Sequence, residues 1–438
     1  MITQVLECPL AGSIVESEGS TFFDGPTVLI DSQSATALAG IPAEQAYMRL
    51  FLLGQQKDLF VTNVPIDPDY IDYLIQILGL ETPEILNINP SGGSSVTEDI
   101  LNNPQILQKI KEWLEIHNGQ VQFFNVTPFE AKLMARLRKF PATCGNLEKA
   151  IDVGSKPGFR KLCKSLGVPV PRGYSCTTLG ETVEAFYNLK AMCLIKACDG
   201  TGGTELQSNV VASPEECEES GQTVETYIQR KLESFGNLLG DEWVVEEYIH
   251  DGREGSVHVY IPEDGSDCTP YILGALTKNN SYVGGFFPYT YDDSDNFLLK
   301  SARDLLIPAL KELGVLGFHC FDFRGSYFLE DNVRPGALDF IHGFIQRIRQ
   351  QHFPNKQYAW YHCHVPITKE KTSFSQVRKL LDPYMDPTLS NFVVVTNPQV
   401  LPHGRDIDIT CVATGDNASV AVAQYQFEEI SKLIQKNL

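Results

Sequence analysis

Along residues 1–145, short apolar runs alternate with stretches whose apolar positions recur every three or four residues. PTVLI and KDLFVTNV read as strands, and DPDYIDYLIQILGL and DILNNPQILQKIKEWLEI as amphipathic helices. That alternation predicts an α/β layer. NPSGGSSVTEDI, at 89–100, reads as a loop entering a helix, with Thr97 as the cap. Near residue 150 the texture changes. KPGFRKLCKSLGVPVPRGYSCTTLGETVEAF predicts a helix, a Gly-Val-Pro exit, a short strand and a second helix. AMCLIKACDGTGG predicts a strand running into a glycine loop, and EWVVEEYIHDGREGSVHVYI a strand, a turn and a strand. SARDLLIPALKELG reads as a helix and VLGFHCFDFRGSYFLEDNVRPG as a β-hairpin. The tail adds strands in QYAWYHCHV, NFVVVTN and IDITCVATG, with helices in SFSQVRKLL and VAQYQFEEISKLIQ.

A chain of 438 residues is too long for one ordinary core. The changes of texture divide it into 1–145, 146–350 and 351–438. A net charge of −20 disfavours nucleic acid and anionic membranes as partners. A site for an anionic ligand must therefore be locally basic. No run of about 18 apolar residues is present, so no membrane-spanning helix is expected. MITQVLECPLAGS has no basic residue ahead of its apolar stretch, so no secretory leader is expected. Eleven cysteines, an odd number without a CxxC pair, suit free thiols in a reducing cytoplasm. YHCHV, at 361–365, would put His362 and His364 on one face of a strand. With no carboxylate nearby in sequence, it reads as a strand with outward polar positions rather than a metal site.

Three stretches carry chemistry. In LIKACDGTGGTEL, Lys196 ends an apolar strand, and Gly200, Gly202 and Gly203 follow. Glycines let backbone N–H groups approach phosphate oxygens, and lysine adds a point charge. The order excludes a Walker A loop, where the lysine follows the glycines. In WVVEEYIHDGREGSV, Glu246 and Glu247 interrupt an apolar strand and point to opposite faces, so one should meet a polar cleft. Glu254 follows, placed to take ribose hydroxyls. In FLEDNVRPG, alternation puts Glu330, Asn332 and Arg334 on one face, with Asp331 and Val333 on the other. Oxygens of Glu330 and Asn332 suit a hard cation, and Arg334 can hold an anion beside them. Asp322 joins them only if it opposes Glu330 across the hairpin. A two-residue Gly325-Ser326 turn breaks that parity, so an odd loop or a bulge at the hairpin tip is expected.

Taken in order, Lys156, Lys196 with its glycines, the Glu246–Glu254 segment, Asp322 and Glu330-x-Asn332 resemble the motifs of ATP-grasp carboxylate–amine ligases. KPGFRKLCKSLGVPVP is similar to the family's opening, and LEDNVRPG to its LEVNPRPG form. Residues 1–145 resemble the pre-ATP-grasp domain of pheganomycin-type peptide ligases. The resemblance implies an ATP-grasp fold of α/β (α+β) class, with a Rossmann-like first domain and a small C-terminal α+β domain. It also implies amide formation from a carboxylate and an amine, through an acyl phosphate, with ATP and Mg²⁺ or Mn²⁺. Lys156 and Lys196 would hold phosphates with Gly200, Gly202 and Gly203. Glu246, Glu247, Tyr248 and Ile249 would line the adenine pocket, Ile249 by its backbone, and Glu254 would take the ribose. Asp322, Glu330 and Asn332 would bind metal, and Arg334 would stabilise the acyl phosphate. The implied partners are a small carboxylate and an amine, such as an amino acid or peptide; a homodimer is compatible. An α-amine is already partly neutral near pH 7, so no catalytic histidine is expected. Cys320 stands where D-alanyl-D-alanine ligases carry arginine, which argues against that reaction. An ATP-binding protein of this fold without turnover is the alternative.

Overall fold

The computed structural model describes residues 23, 25–34, 47–89, 95–198, 209–236, 239–266, 268–278, 281–367, 372–402 and 406–438. The first sheet holds β1 (Thr27–Ile30), β2 (Leu59–Thr62), β3 (Glu84–Asn87) and β4 (Gln120–Phe123) in the order β3-β2-β1-β4. All its pairings are parallel. Parallel strands need helical crossovers, which cover both faces. This explains why TVLI is buried at every position. Val28 and Ile30 pack with Ile110 and Leu114, whereas Leu29 packs with Phe344 and Ile345 of the helix Asp339–His352. The strand order reverses between β1 and β4, and ligands in such sheets sit at that crevice, beyond the strand C-termini.

The second sheet is antiparallel: β5 (Gly173–Cys176), β6 (Cys193–Lys196), β7 (Asn209–Ala212) and β8 (Trp243–Glu247), ordered β5-β8-β6-β7. The third sheet has eight strands. They are β9 (Glu254–Ile261), β10 (Tyr271–Lys278), β11 (Ser281–Phe287), β12 (Gly317–Arg324), β13 (Tyr327–Asn332), β14 (Tyr358–Pro366), β15 (Asn391–Val395) and β16 (Asp406–Thr414). Their order is β13-β12-β9-β10-β11-β14-β16-β15. The strands of 351–438 therefore extend the sheet of the central region instead of building a sheet of their own. The β11–β14 pairing makes the join, with Gly285 opposite His362.

Two local expectations change. Ser95, not Thr97, caps the helix Val96–Asn102: its side chain accepts from the Glu98 N–H, and its backbone is extended as a cap requires. Thr97 lies inside the helix and donates its N–H to Ser32 Oγ at 3.1 Å. In the β12–β13 hairpin, Asp322 does oppose Glu330. The tip, however, is a two-residue turn, with Arg324 opposite Tyr327 and Gly325 at φ +58°. The register shifts below it, between Asp322 and Phe323, which leaves Leu329 as the extra residue. Parity is restored by a bulge in the strand, not at the tip.

Among the described residues no helix is long and apolar enough to cross a membrane, and the described cysteines are free. Gly336 closes the strand end tightly. A Cβ there would sit 2.7 Å from Cys320 Sγ and 3.0 Å from His258 Cε1. Gly336→Ala is expected to cost about 1–3 kcal/mol by overpacking. Urea unfolding would read it, and a change below about 0.5 kcal/mol would contradict this packing.

Candidate functional site

The bulge has a chemical consequence. Its Leu329 carbonyl accepts a hydrogen bond from Lys196 Nζ at 2.8 Å. Lys196 stands at the end of β6, in the other antiparallel sheet, so this bond ties the two sheets together. Its ammonium also lies 3.2 Å from Glu246 of β8, and Glu246 takes Arg160 at 2.9 Å. Lys156 and Arg160 share one face of the helix Lys156–Leu166, one turn apart. Lys156, 4% exposed, reaches Glu330 at 3.3 Å. Its backbone N–H donates to the Cys198 carbonyl, just before the glycine loop. Gly200, Gly202 and Gly203 lie outside the described residues.

Register places the acids. Ser256, Asp322 and Glu330 form one row across β9, β12 and β13, and His258, Cys320 and Asn332 form the next. All six share a sheet face and line one cavity of about 570 Å³. Asp322 accepts from Ser256 Oγ and, at 2.9 Å, from Asn332 Nδ2. Arg334 lies beyond the end of β13, yet its guanidinium still reaches Asn332 Oδ1 at 2.7 Å. Asp331 faces away and pairs with His319 at 2.8 Å, both buried, as alternation requires.

Charge is unevenly shared in this cluster. Burial, and then the facing Glu330, push the Asp322 carboxyl up. Burial would raise Glu330 too, but Lys156 and Lys196 hold it below the usual carboxylate range. Burial lowers Arg334, with Cys320, Asp322 and Glu330 acting the other way. Two facing carboxylates and an amide oxygen, with one carboxyl already pushed toward its neutral form, are a donor set that fits a small hard cation. The residues present therefore fit a magnesium ion.

The other expected nucleotide residues meet along the same cavity. Glu246, Glu247, Tyr248, Ile249 and Glu254 all line it. Glu246 is buried between Lys196 and Arg160 and so positions the lysine. Glu247 leans on Arg172 at 3.3 Å. Arg324, which was not singled out in the sequence, organises the rest. It donates to the Ile249 carbonyl at 2.9 Å, pairs with Glu254, and stands over the Tyr248 ring. Thr277 also donates to Glu254, at 2.6 Å. Arg160 was missed as well, although its place four residues after Lys156 was a usable signal. Because Arg160 and Glu246 are both buried, Arg160→Met should cost about 3 kcal/mol in stability, since it strands a carboxylate. It should also weaken nucleotide binding by loosening Lys196. Urea unfolding with nucleotide titration would check this; a loss under about 1 kcal/mol would show that Lys196 alone satisfies Glu246.

The first sheet contributes the remaining wall. Gln33 follows β1, Phe124 follows β4, and Tyr47 and Arg49 precede β2; all line the cavity. This is the crevice at which the strand order reverses. Arg49 and Arg334 stack on the same Phe124 ring, at 4.6 and 5.3 Å from its centroid. Beyond them lie His362 and His364 of β14 and Asp408 of β16. The histidines do share a face, but that face is the cavity wall, not solvent.

A model of the pre-ATP-grasp domain family matches residues 47–138. No curated protein shows a significant sequence match. Among solved structures, the N5-carboxyaminoimidazole ribonucleotide synthetase of Thermus thermophilus is similar with a TM-score of 0.56 and 14% identity, over 93% of this chain and 98% of that one. The N5-carboxyaminoimidazole synthase of Aspergillus clavatus, solved with ADP and its aminoimidazole ribonucleotide, gives 0.57 and 12%, over 94% and 98%. The biotin carboxylase domain of Hydrogenobacter thermophilus 2-oxoglutarate carboxylase, solved with MgADP, ADP and bicarbonate, gives 0.56 and 14%, over 93% and 89%. The fold is the ATP-grasp fold, with an N-terminal pre-ATP-grasp layer.

Proposed function

We propose that this protein is an ATP-dependent carboxylate–amine ligase of the acid–amino-acid or peptide type, working through an acyl phosphate. One observation carries the reading: Lys196, two facing carboxylates, an amide and an arginine line one cavity, and a second lysine, Lys156, reaches the cavity's Glu330 from a third segment. The structural neighbours solved with ADP or MgADP and the pre-ATP-grasp match support it. Free cysteines support a cytoplasmic setting.

In this reading the nucleotide lies between the two antiparallel sheets. Tyr248 and Ile249 border its base, and Glu254, held by Arg324 and Thr277, takes the ribose. Lys156 and Lys196 neutralise the phosphates. Asp322, Glu330 and Asn332 would hold Mg²⁺, which when bound neutralises phosphate oxygens further. A substrate carboxylate oxygen attacks the terminal phosphorus, and ADP leaves with the electron pair. Phosphoryl transfer of this kind needs positioning and charge neutralisation more than covalent help. The amine then attacks the acyl carbon, the amide C–N bond forms, and phosphate leaves. Arg334 offsets the negative charge in both steps.

The test is ADP release from ATP with pooled amino acids, other carboxylic acids, bicarbonate and amines. Acid-dependent ADP formation, raised by an amine, is expected. A protein that binds ATP while no pool stimulates ADP release would support the non-turnover alternative.

A further inference from the structure

The far wall of the cavity is built with more care than the nucleotide chemistry requires. Asp408 is buried, yet it is held by Asn397 Nδ2 at 2.7 Å and bonded to His364 Nδ1. That bond fixes the imidazole so that its Nε2 edge is the one left for a ligand. His362, beside it, is tied to Thr410 Oγ1 at 2.9 Å. Tyr282 of β11 meets the His364 ring edge to face, at 6.0 Å between centroids. The Tyr282 hydroxyl is buried and has no hydrogen-bond partner among the described residues. A buried hydroxyl left in this way points to a missing acceptor. Arg49 completes the wall, its guanidinium laid over Tyr47 at 3.9 Å and over Phe124 at 4.6 Å.

We propose that His364, Tyr282 and Arg49 form a subsite for a second substrate carboxylate, one distinct from the carboxylate that is activated at Arg334. The proposal rests on the ligase reading above. A planar guanidinium, an imidazole N–H and a phenol are all donors, and together they match the acceptor oxygens of one carboxylate. Burial works against a charged His364, but Asp408 outweighs it and raises the imidazole; Asp406 raises it further and Arg49 opposes. His362, by contrast, is pushed down to about 4 by burial and stays neutral. Asp408 is occupied by His364 and Asn397, and Asp406 stands exposed at the rim, so neither offers a buried site for a cation.

Position gives the wall its purpose. His364 lies four strands from Asp322 on one face of the same sheet, beyond β9, β10 and β11, about 19 Å across the strands. Arg49 stands between the two regions, sharing the Phe124 ring with Arg334. A substrate with carboxylates at both ends would be held at the far wall with only its near end at the phosphate. The second carboxylate belongs either to the amine substrate, as in an amino acid, or to the acid substrate, as in a diacid.

The experiment compares kcat/KM for ADP release between carboxylate-bearing substrates and matched amides. One arm uses L-amino acids against their C-terminal amides as amines. The other uses dicarboxylic acids against their half-amides as acids. In one arm the wild type should favour the carboxylate by about 30-fold or more, as for hydrogen bonds to a charged group. The arm showing the preference identifies the source. His364→Gln and Tyr282→Phe should each cut that ratio by about tenfold, mainly through KM. A merely structural loss would lower both substrates alike and leave the ratio in place. An unchanged ratio in both variants, or a wild type that prefers the amides, would overturn the subsite. A wild type that releases ADP with no acid would instead overturn the ligase reading.

Discussion

Glu330→Gln is expected to lower turnover by about 10³-fold or more while leaving ATP binding measurable. The substitution keeps the side chain's shape and removes its charge. That charge faces Asp322, lies 3.3 Å from Lys156, and is held ionised by Lys156 and Lys196. Neutralising it leaves the buried ammonium of Lys156 without its ion-pair partner, while Lys196 keeps Glu246, and deletes one of two carboxylates available to a cation. Calorimetry should show ATP binding weakened about tenfold and no longer strengthened by Mg²⁺. Turnover equal to wild type would remove Glu330 from the chemistry. Binding that keeps its full Mg²⁺ dependence would remove it from the metal.

Arg334→Ala is the second large effect. Turnover should fall by about 10²–10³-fold, with the ATP dissociation constant changed by less than about threefold. The reason is its location. Arg334 touches Asn332 and Phe124, on the side of the acids toward the first sheet, and the Glu246–Glu254 segment has its own arginine in Arg324. Arg334→Lys should recover little, because an ammonium lacks the planar fork that spans two oxygens and stacks on a ring. Equal losses in binding and turnover would place the guanidinium on the nucleotide instead.

Much of this was legible because strand alternation is strict. It separated Glu330 and Asn332 from Asp331, and the structure puts Asp331 against His319 on the far face. Parity also required one irregularity between Asp322 and Glu330. Its position could not be read, because Gly325 accepts the positive φ of a two-residue turn and moves the extra residue down to Leu329. What stayed hidden depends on pairings distant in sequence. YHCHV read as an outward strand because no carboxylate was near. Asp408 reaches His364 only through the β14–β16 register, 44 residues on. Arg49 arrives from the first sheet, and no local pattern in Arg49–Leu53 marks it as facing a cavity. The C-terminal strands looked like a separate unit, since their alternation is complete by itself. Only the β11–β14 pairing shows that they continue the central sheet and carry the far wall of the site.

If this cavity joins a carboxylate to the terminal phosphate of ATP, an oxygen of the acid must leave with the phosphate. The most direct test labels both carboxylate oxygens of the best stimulating acid with ¹⁸O and follows the released phosphate by mass spectrometry. One ¹⁸O is expected in each phosphate released during amide formation, because the acyl C–O bond breaks when the amine attacks. Phosphate free of ¹⁸O, or AMP in place of ADP, would contradict it.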